Sequence, residues 1–355
     1  MRLGTVVVGV DFSAASLAAA QWVGTHMAPD AEIVLVHVLP EPDAPPFVRV
    51  RLPSMLDVVA DVVPALYGGL RGLADLIGPD RTRIEILNGP PADGLAAAAA
   101  EWRADLVCLG RTRSRRGSAR FGATVAQRLL ARTATPVLVV PSTRAAAPGR
   151  ILAALDGGPS SRAVAELAWR LATTAGAATH ALHVLGPELR GFVRACRRTN
   201  DDGRAAQLAM LRDDDGAAPI RNEAHLYALA GEWLENQFAP LGAPPGRVRA
   251  HVRVGDPGQE IIAHANSMGV ELIVVGRGDA GGGPLAADAL RPLGSTARLV
   301  TWVAPCPVLV VSPSTGAGEP DSLPGRGTHW RRRPLAAREA RAVGGEPWEP
   351  LPPAA

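Results

Sequence analysis

The chain has 355 residues, 37 basic and 34 acidic side chains and a net charge of +3, and 47% of its residues are apolar. That length suits about two domains, and that composition excludes a wholly disordered chain. All basic residues are arginine, which excludes a Walker phosphate loop and a pyridoxal Schiff base, since both need a lysine.

Aromatic residues are only 4%, so Ala, Val and Leu must build the cores. No apolar run approaches the roughly 20 residues of a bilayer span, and the N-terminus runs straight into a strand-like stretch. A membrane partner and a signal peptide are therefore not expected. Cys108, Cys196 and Cys306 are odd in number and far apart, which gives neither a disulfide framework nor a metal knuckle and fits a cytoplasmic location.

In chain order, the dominant pattern is an internal repeat. The first copy opens with Thr5-Val6-Val7-Val8-Gly9-Val10-Asp11-Phe12-Ser13, an apolar strand that ends in Asp and leads into a helix from Ala14 to Met27. A second strand, Ile33 to Val38, ends in His-Val. A third strand covers Arg83–Leu87, a helix Asp93–Arg103, a fourth strand Leu106–Gly110 and a last strand Pro136–Val140. The second copy repeats this order. Its strands are Arg150 to Leu155 before Asp156, Ala181–Val184, Val248–Val254, Leu272–Gly276 and Pro307–Val311, and its helices are Ser160–Ala175 and Gly258–Met268. His37 and His183 are 146 residues apart and Gly110 and Gly276 are 166 apart, so the second copy carries 20 extra residues in its middle.

Apolar strands alternating with helices predict an α/β fold: two tandem doubly wound domains, each a parallel sheet covered on both faces. The expected bounds are residues 1–145 and 146–313. A Pro, Gly and Arg-rich tail, 314–355, reads as disordered. The tail's six arginines face five acids, so a solvated tail is expected rather than a nucleic-acid arm.

Ligands of such sheets bind beyond the carboxyl ends of the strands, where the strand order reverses. Asp11 and Asp156, the His-Val pairs, and Gly110 and Gly276 all fall at such ends. In the second copy Gly276-Arg277-Gly278-Asp279-Ala280-Gly281-Gly282-Gly283 precedes a helix opening at Gly294-Ser295-Thr296, where backbone donors suit a phosphate. Ser295 or Thr296 is expected to cap that helix or to donate to a phosphate. Asp11 and Asp156 have a plainer alternative role as caps of the helices that follow them.

These residues resemble the universal stress protein family in both halves, over about 3–141 and 149–312. The likeness rests on Val8-Gly9-Val10-Asp11-Phe12-Ser13, Leu35-Val36-His37-Val38, Gly294-Ser295-Thr296-Ala297 and Ala304-Pro305-Cys306-Pro307-Val308-Leu309-Val310-Val311. It implies five-stranded parallel sheets of the adenine nucleotide alpha hydrolase type and pairing through the last strands, as a pseudo-dimer within the chain or a homodimer. It also implies a stress-response regulatory module that binds ATP, with Mg²⁺ accompanying, through the strand-one Asp, the strand-two Val and a loop Gly-x2-Gly-x9-Gly-Ser/Thr. Carried over, the site comprises Asp156, Val184, Gly276, Gly278, Gly281, Gly294, Ser295 and Thr296 in the second half, and Asp11, Val38, Gly110 and Thr124 in the first.

Both copies depart from that pattern. In the first, Arg113 and Ala123 stand at the second and third glycines. In the second, Asp279 stands at the second glycine and the spacing is five residues longer. ATP is therefore expected in the second half, with a ligand-free scaffold or a slow ATPase using Asp279 as alternatives. No hydrolase elbow, nucleophile pair or paired-carboxylate signature names an enzyme. Between Asp105 and Asp156 lie nine arginines and no acid, read as a solvated loop, with an anion clamp centred on Arg113 as the alternative. His180 and His183 are three apart on a strand and so face opposite ways, which argues against zinc there, and no metal site is expected.

Overall fold

The computed structural model describes residues 3–40, 55–111, 124–142, 145–188, 223–278, 293–312 and 329–330. The chain divides into two compact units that meet at Ala147 and Pro148.

In the first unit, β1 (Thr5–Gly9), β2 (Glu32–Leu39), β3 (Thr82–Asn88), β4 (Leu106–Arg111) and β5 (Val137–Pro141) alternate with α1 (Ala14–Trp22), α2 (Met55–Ile77), α3 (Pro91–Glu101) and α4 (Val125–Leu130). The strands are parallel in the order β3-β2-β1-β4-β5. Val6, Val7, Val8, Ile33, Val34, Leu35, Val107 and Leu138 are completely buried, as β-branched and leucine runs covered on both sheet faces should be. α1 continues as a π-helical turn, Val23–Met27, rather than as the straight helix expected. The Arg81 guanidinium explains why that turn holds. It donates to the carbonyls of Gly24 (2.8 Å), Ala28 (2.8 Å), Ala31 (3.1 Å) and Ile77 (2.9 Å), satisfying acceptors that helix ends leave open.

The second unit repeats the plan with β6 (Arg150–Ala154), α5 (Ser161–Ala175), β7 (Ala178–Leu185), α6 (Glu223–Asn236), β8 (Val248–Val254), α7 (Pro257–Met268), β9 (Leu272–Gly276), α8 (Ser295–Val303) and β10 (Val308–Val311). Its parallel order is β8-β7-β6-β9-β10. α7 is capped by Asp256, whose side chain accepts the Gln259 N–H at 2.9 Å, and stops at Gly269 with φ 60°.

Each order reverses direction beside the first strand, so the switch point lies between β1 and β4 in one unit and between β6 and β9 in the other. Of the tail, His329–Trp330 forms a two-residue strand, β11, antiparallel to Ile86 and Leu87 of β3. The rest of the tail lies outside the described residues, as does most of the second copy's extra stretch. Among the described residues no helix is long and apolar enough to cross a membrane.

Candidate functional site

At the switch point of the second unit, Ala154 pairs with Val275, so the chain ends of β6 and β9 stand side by side. Asp156 and Gly276 thus emerge as neighbours at the same edge. In the first unit Gly9 pairs with Leu109, which sets Asp11 beside Gly110 in the same way. Val184 and Val38 stand next to last in the adjacent strand on the other side, opposite Arg253 and Leu87.

The loops after the first strands are built alike. Asp156 Oδ1 accepts the Gly158 N–H (2.8 Å) and the Ser161 hydroxyl (3.0 Å), and the Gly157 N–H reaches Ser161 Oγ (2.9 Å). Asp11 Oδ1 accepts the Ser13 N–H (3.0 Å) and its hydroxyl (2.5 Å). Burial pushes the Asp11 carboxyl up, but the hydrogen bonds from Ser13 and Ser16 outweigh it and leave it below the ordinary carboxylate range. Neither aspartate caps a helix. Ser13 caps α1 by accepting the Ser16 N–H at 3.2 Å, and Ser160 precedes α5 without a side-chain cap bond.

The histidines of the second strands hold these loops. The His37 ring is 2.7 Å through Nδ1 from the Val10 carbonyl, and His183 is 2.7 Å from that of Leu155. A carbonyl only accepts, so Nδ1 carries the proton in both. Each ring supports the residue before the aspartate. Each is also covered by an aromatic side chain, but from different places. Phe12 of the loop itself lies over His37 with centroids 5.2 Å apart, while Trp233 of α6 meets His183 edge-on at 5.3 Å. The residue after each aspartate has a left-handed backbone, Phe12 with φ 59° and Gly157 with φ 81°. Glycine bears that conformation freely, and phenylalanine is strained by it.

The fourth-strand glycines have a packing role. A Cβ on Gly110 would sit 2.3 Å from the Ala15 carbonyl carbon and 2.4 Å from the Ser16 nitrogen of α1; one on Gly276 would sit 2.7 Å from the Ser160 Cβ. Both glycines let the first helix of the unit lie directly on the strand end. The residues after them, Arg111 and Arg277, are both buried.

The two units differ most where the next helix begins. α4 carries a capping box: Thr124 Oγ1 accepts the Gln127 N–H (3.3 Å), and Gln127 Oε1 accepts the Thr124 N–H (3.0 Å). At α8 the cap position is Gly294, with no side-chain cap bond. The expectation that Ser295 or Thr296 caps this helix is corrected here: both lie inside it, Ser295 exposed and Thr296 half-buried. The Gly294 N–H bonds instead to the Arg277 carbonyl (3.0 Å), and the Arg277 N–H to that of Val311 (2.8 Å), which pins the helix start to the end of β9. Gly278, with φ 77°, touches Gly294, where a Cβ would be 3.4 Å from its Cα. Among the described residues nothing caps the first-turn N–H donors of α8, which lie beside Gly278.

The structure thus brings together Asp156, Val184, Gly276, Gly278, Gly294, Ser295 and Thr296 at one edge of the second sheet, and Asp11, Val38 and Gly110 at one edge of the first, with Thr124 at the start of α4. Gly281 and Asp279 lie outside the described residues, as do Arg113, Arg115, Arg116, Arg120 and Arg144 of the arginine-rich stretch. Arg132 and Arg150 of that stretch pair with Asp93 and Glu271.

A model of the universal stress protein family matches residues 3–141 and again residues 148–312. The chain belongs to the universal stress protein family. Solved structures carry the same fold at low identity. A universal stress protein from Archaeoglobus fulgidus DSM 4304 is 17% identical with a TM-score of 0.56, covering 88% of this chain and 100% of its own. A protein described as a putative universal stress protein, from Pseudomonas aeruginosa UCBPP-PA14, is 15% identical with a TM-score of 0.55, covering 88% and 94%. Within this tandem universal stress protein, spacing along one strand gave no warning of a second constellation. His180, His251 and His264, from β7, β8 and α7, converge in the second unit. The readable signal is one histidine in each of two paired strands and in the helix that packs on them.

Proposed function

We propose that the chain is a nucleotide-binding regulatory module of the stress response in which the second half takes ATP. The observation that carries this reading is the uncapped start of α8, pinned beside Gly276 and Gly278 at the switch point next to Asp156. The triphosphate would lie on the open N–H groups of that first turn, where the helix dipole also favours negative charge. Ser295 and Thr296 would offer hydroxyls to it. Asp156 has its Oδ1 tied to the loop and would use its other oxygen for the sugar, with the Val184 backbone beside the base. Mg²⁺ would enter with the phosphates. Gly281 belongs to the same proposal as a further backbone contact.

The first half fits a ligand-free role better. At its helix start Thr124 and Gln127 already engage the Gln127 N–H and the Thr124 N–H, and Phe12 covers His37. Asp11, Val38 and Gly110 would then serve the fold alone. Cytoplasmic residence and association through the last strands, β5 and β10, belong to the same reading.

The test is mass spectrometry of nucleotide that co-purifies with the full chain, followed by calorimetry with ATP. One equivalent of adenine nucleotide is expected, lost in Asp156→Ala and kept in Asp11→Ala. Binding unaffected by Asp156→Ala would overturn the site. Phosphate release with Mg²⁺ that disappears in Asp279→Ala would favour the slow ATPase.

A further inference from the structure

His180 and Leu182 share one face of β7, and Leu182 lies opposite His251 in the register of β8. α7 covers that face with a buried stripe of Gly258, Ile261, His264 and Ala265. His183, three residues on, turns the other way, towards Trp233 of α6. One imidazole from each of three elements therefore meets in a single core layer. His180 is 1% exposed and His264 3%, and His251 is half-buried.

The three rings lie close. His180 Nδ1 is 3.0 Å from His251 Nε2, and those rings are stacked with centroids 5.2 Å apart. The His251 and His264 centroids are 4.5 Å apart. One nitrogen from each ring lies within 4.8 Å of the others. Both nitrogens of His264 are buried with no hydrogen-bond partner among the described residues. A core position that needed only bulk would be served as well by leucine, with no polar atom to desolvate.

The charged groups facing the rings are all cationic. They are Arg249 and Arg253 of β8 and Arg150 of β6, the latter two also near Glu260 and Glu271. Burial first, then these charges and the neighbouring rings, lower all three imidazole pKa values, His264 to about 4. At neutral pH the rings are uncharged, and each neutral imidazole has one nitrogen lone pair to offer a Lewis acid.

We propose that His180, His251 and His264 form a binding site for one divalent first-row transition-metal ion of the zinc type. Three neutral imidazoles suit zinc, copper or nickel rather than magnesium or calcium, which take oxygen ligands. Zn–N bonds of about 2.0–2.1 Å put tetrahedral nitrogens roughly 3.3 Å apart, so the site closes by a shift of about 1.5 Å or less. The protons must then reside on His180 Nε2 and His251 Nδ1, so entry of the metal replaces the ring-to-ring hydrogen bond by a change of tautomer. Three protein ligands leave a fourth position for water, on the side of half-buried His251.

The experiment uses the full chain, stripped of metal, titrated with Co²⁺ by visible absorbance and with Zn²⁺ by calorimetry and thermal melting. The expected result is one equivalent bound, the intense ligand-field bands of four-coordinate Co²⁺, their displacement by Zn²⁺, and a melting temperature raised by about 5 °C. His264→Leu and His251→Gln should each weaken Zn²⁺ about 100-fold or more. His264→Leu keeps the core filled, and His251→Gln changes a half-buried position, so at least one folded variant reports. Uptake below one equivalent in the wild type, or wild-type affinity in either folded variant, overturns the proposal. ATP binding is measured in the same samples and is expected to be unchanged, so failure of the metal site and failure of the nucleotide site remain distinguishable.

Discussion

Both halves place a glycine at or next to the end of the fourth strand, under the first helix, and then part company. The first half starts α4 with Thr124 and Gln127 bonded reciprocally; the second starts α8 with Gly294 and leaves its first turn open. The loop beside β1 is filled by Phe12, and the matching loop beside β6 has Gly157. A duplicated fold thus keeps its frame while one copy caps its helix with side chains and the other has a glycine at the cap position. A cap contributes about 1 kcal/mol to stability, and it uses the donors an anion would need. Stability and binding therefore compete for the same few N–H groups.

The comparison breaks most visibly at the glycines. Gly110→Ala sets a methyl against the backbone of α1, which cannot give way, and should cost about 3 kcal/mol or more. Gly276→Ala meets the side chains of Ser160 and, more loosely, Val164 rather than helix backbone, and should cost roughly 1–2 kcal/mol. Urea unfolding of the two variants checks the ranking, and equal losses would show that the two packings are the same.

Acid should separate the halves next. In the unfolded chain, histidines take a proton below about pH 6.5, whereas folded His264 takes one only near pH 4. The unfolded state then binds more protons across that window, so stability falls as pH drops through it. His180 and His251 shift the same way, in surroundings set by Arg150, Arg249 and Arg253. Peptide-resolved hydrogen exchange at pH 7, 6, 5 and 4.5 should show the second half loosening first, with a shallower pH dependence in metal-free His264→Leu. Asp11 acts lower, its stabilisation being lost only as pH falls below the ordinary carboxylate range.

Binding sharpens the contrast further. Asp156→Ala should weaken ATP at least tenfold, about 1.4 kcal/mol, and Asp11→Ala less than twofold, both by calorimetry. The smallest effect is expected at the cap. Thr124→Ala should lower stability by about 1 kcal/mol and leave ATP affinity unchanged. A fall in ATP affinity in that variant would mean that the first half also takes part in binding.

Much of this was legible in the residues. β8 and β9 run as read, because the Val-x-Ala-x-Val-x-Val alternation of β8 before Gly255 and the Leu-Ile-Val-Val run of β9 ending in Gly276 leave little choice. The tandem division followed from the repeat alone. The site edge was legible too, because the aspartates and glycines fall at strand ends. The capping box is equally readable in Thr124-x-x-Gln127, where Thr124 also fits the Ser/Thr end of a phosphate loop. Other features need the third dimension. The π-helical turn depends on Arg81, more than fifty residues away from it in sequence. The left-handed Phe12 breaks a local preference and is invisible to any pattern of polarity. The histidine cluster joins a strand, its neighbour and a helix, and no spacing within one element encodes it.

The Arg81 guanidinium has a consequence of its own. Its planar fork gathers four carbonyls from the turn after α1, the approach to β2 and the end of α2. An ammonium group offers three hydrogens around a point and could not serve all four. The three stretches are thereby fastened by a single rivet, and they open to solvent together or not at all.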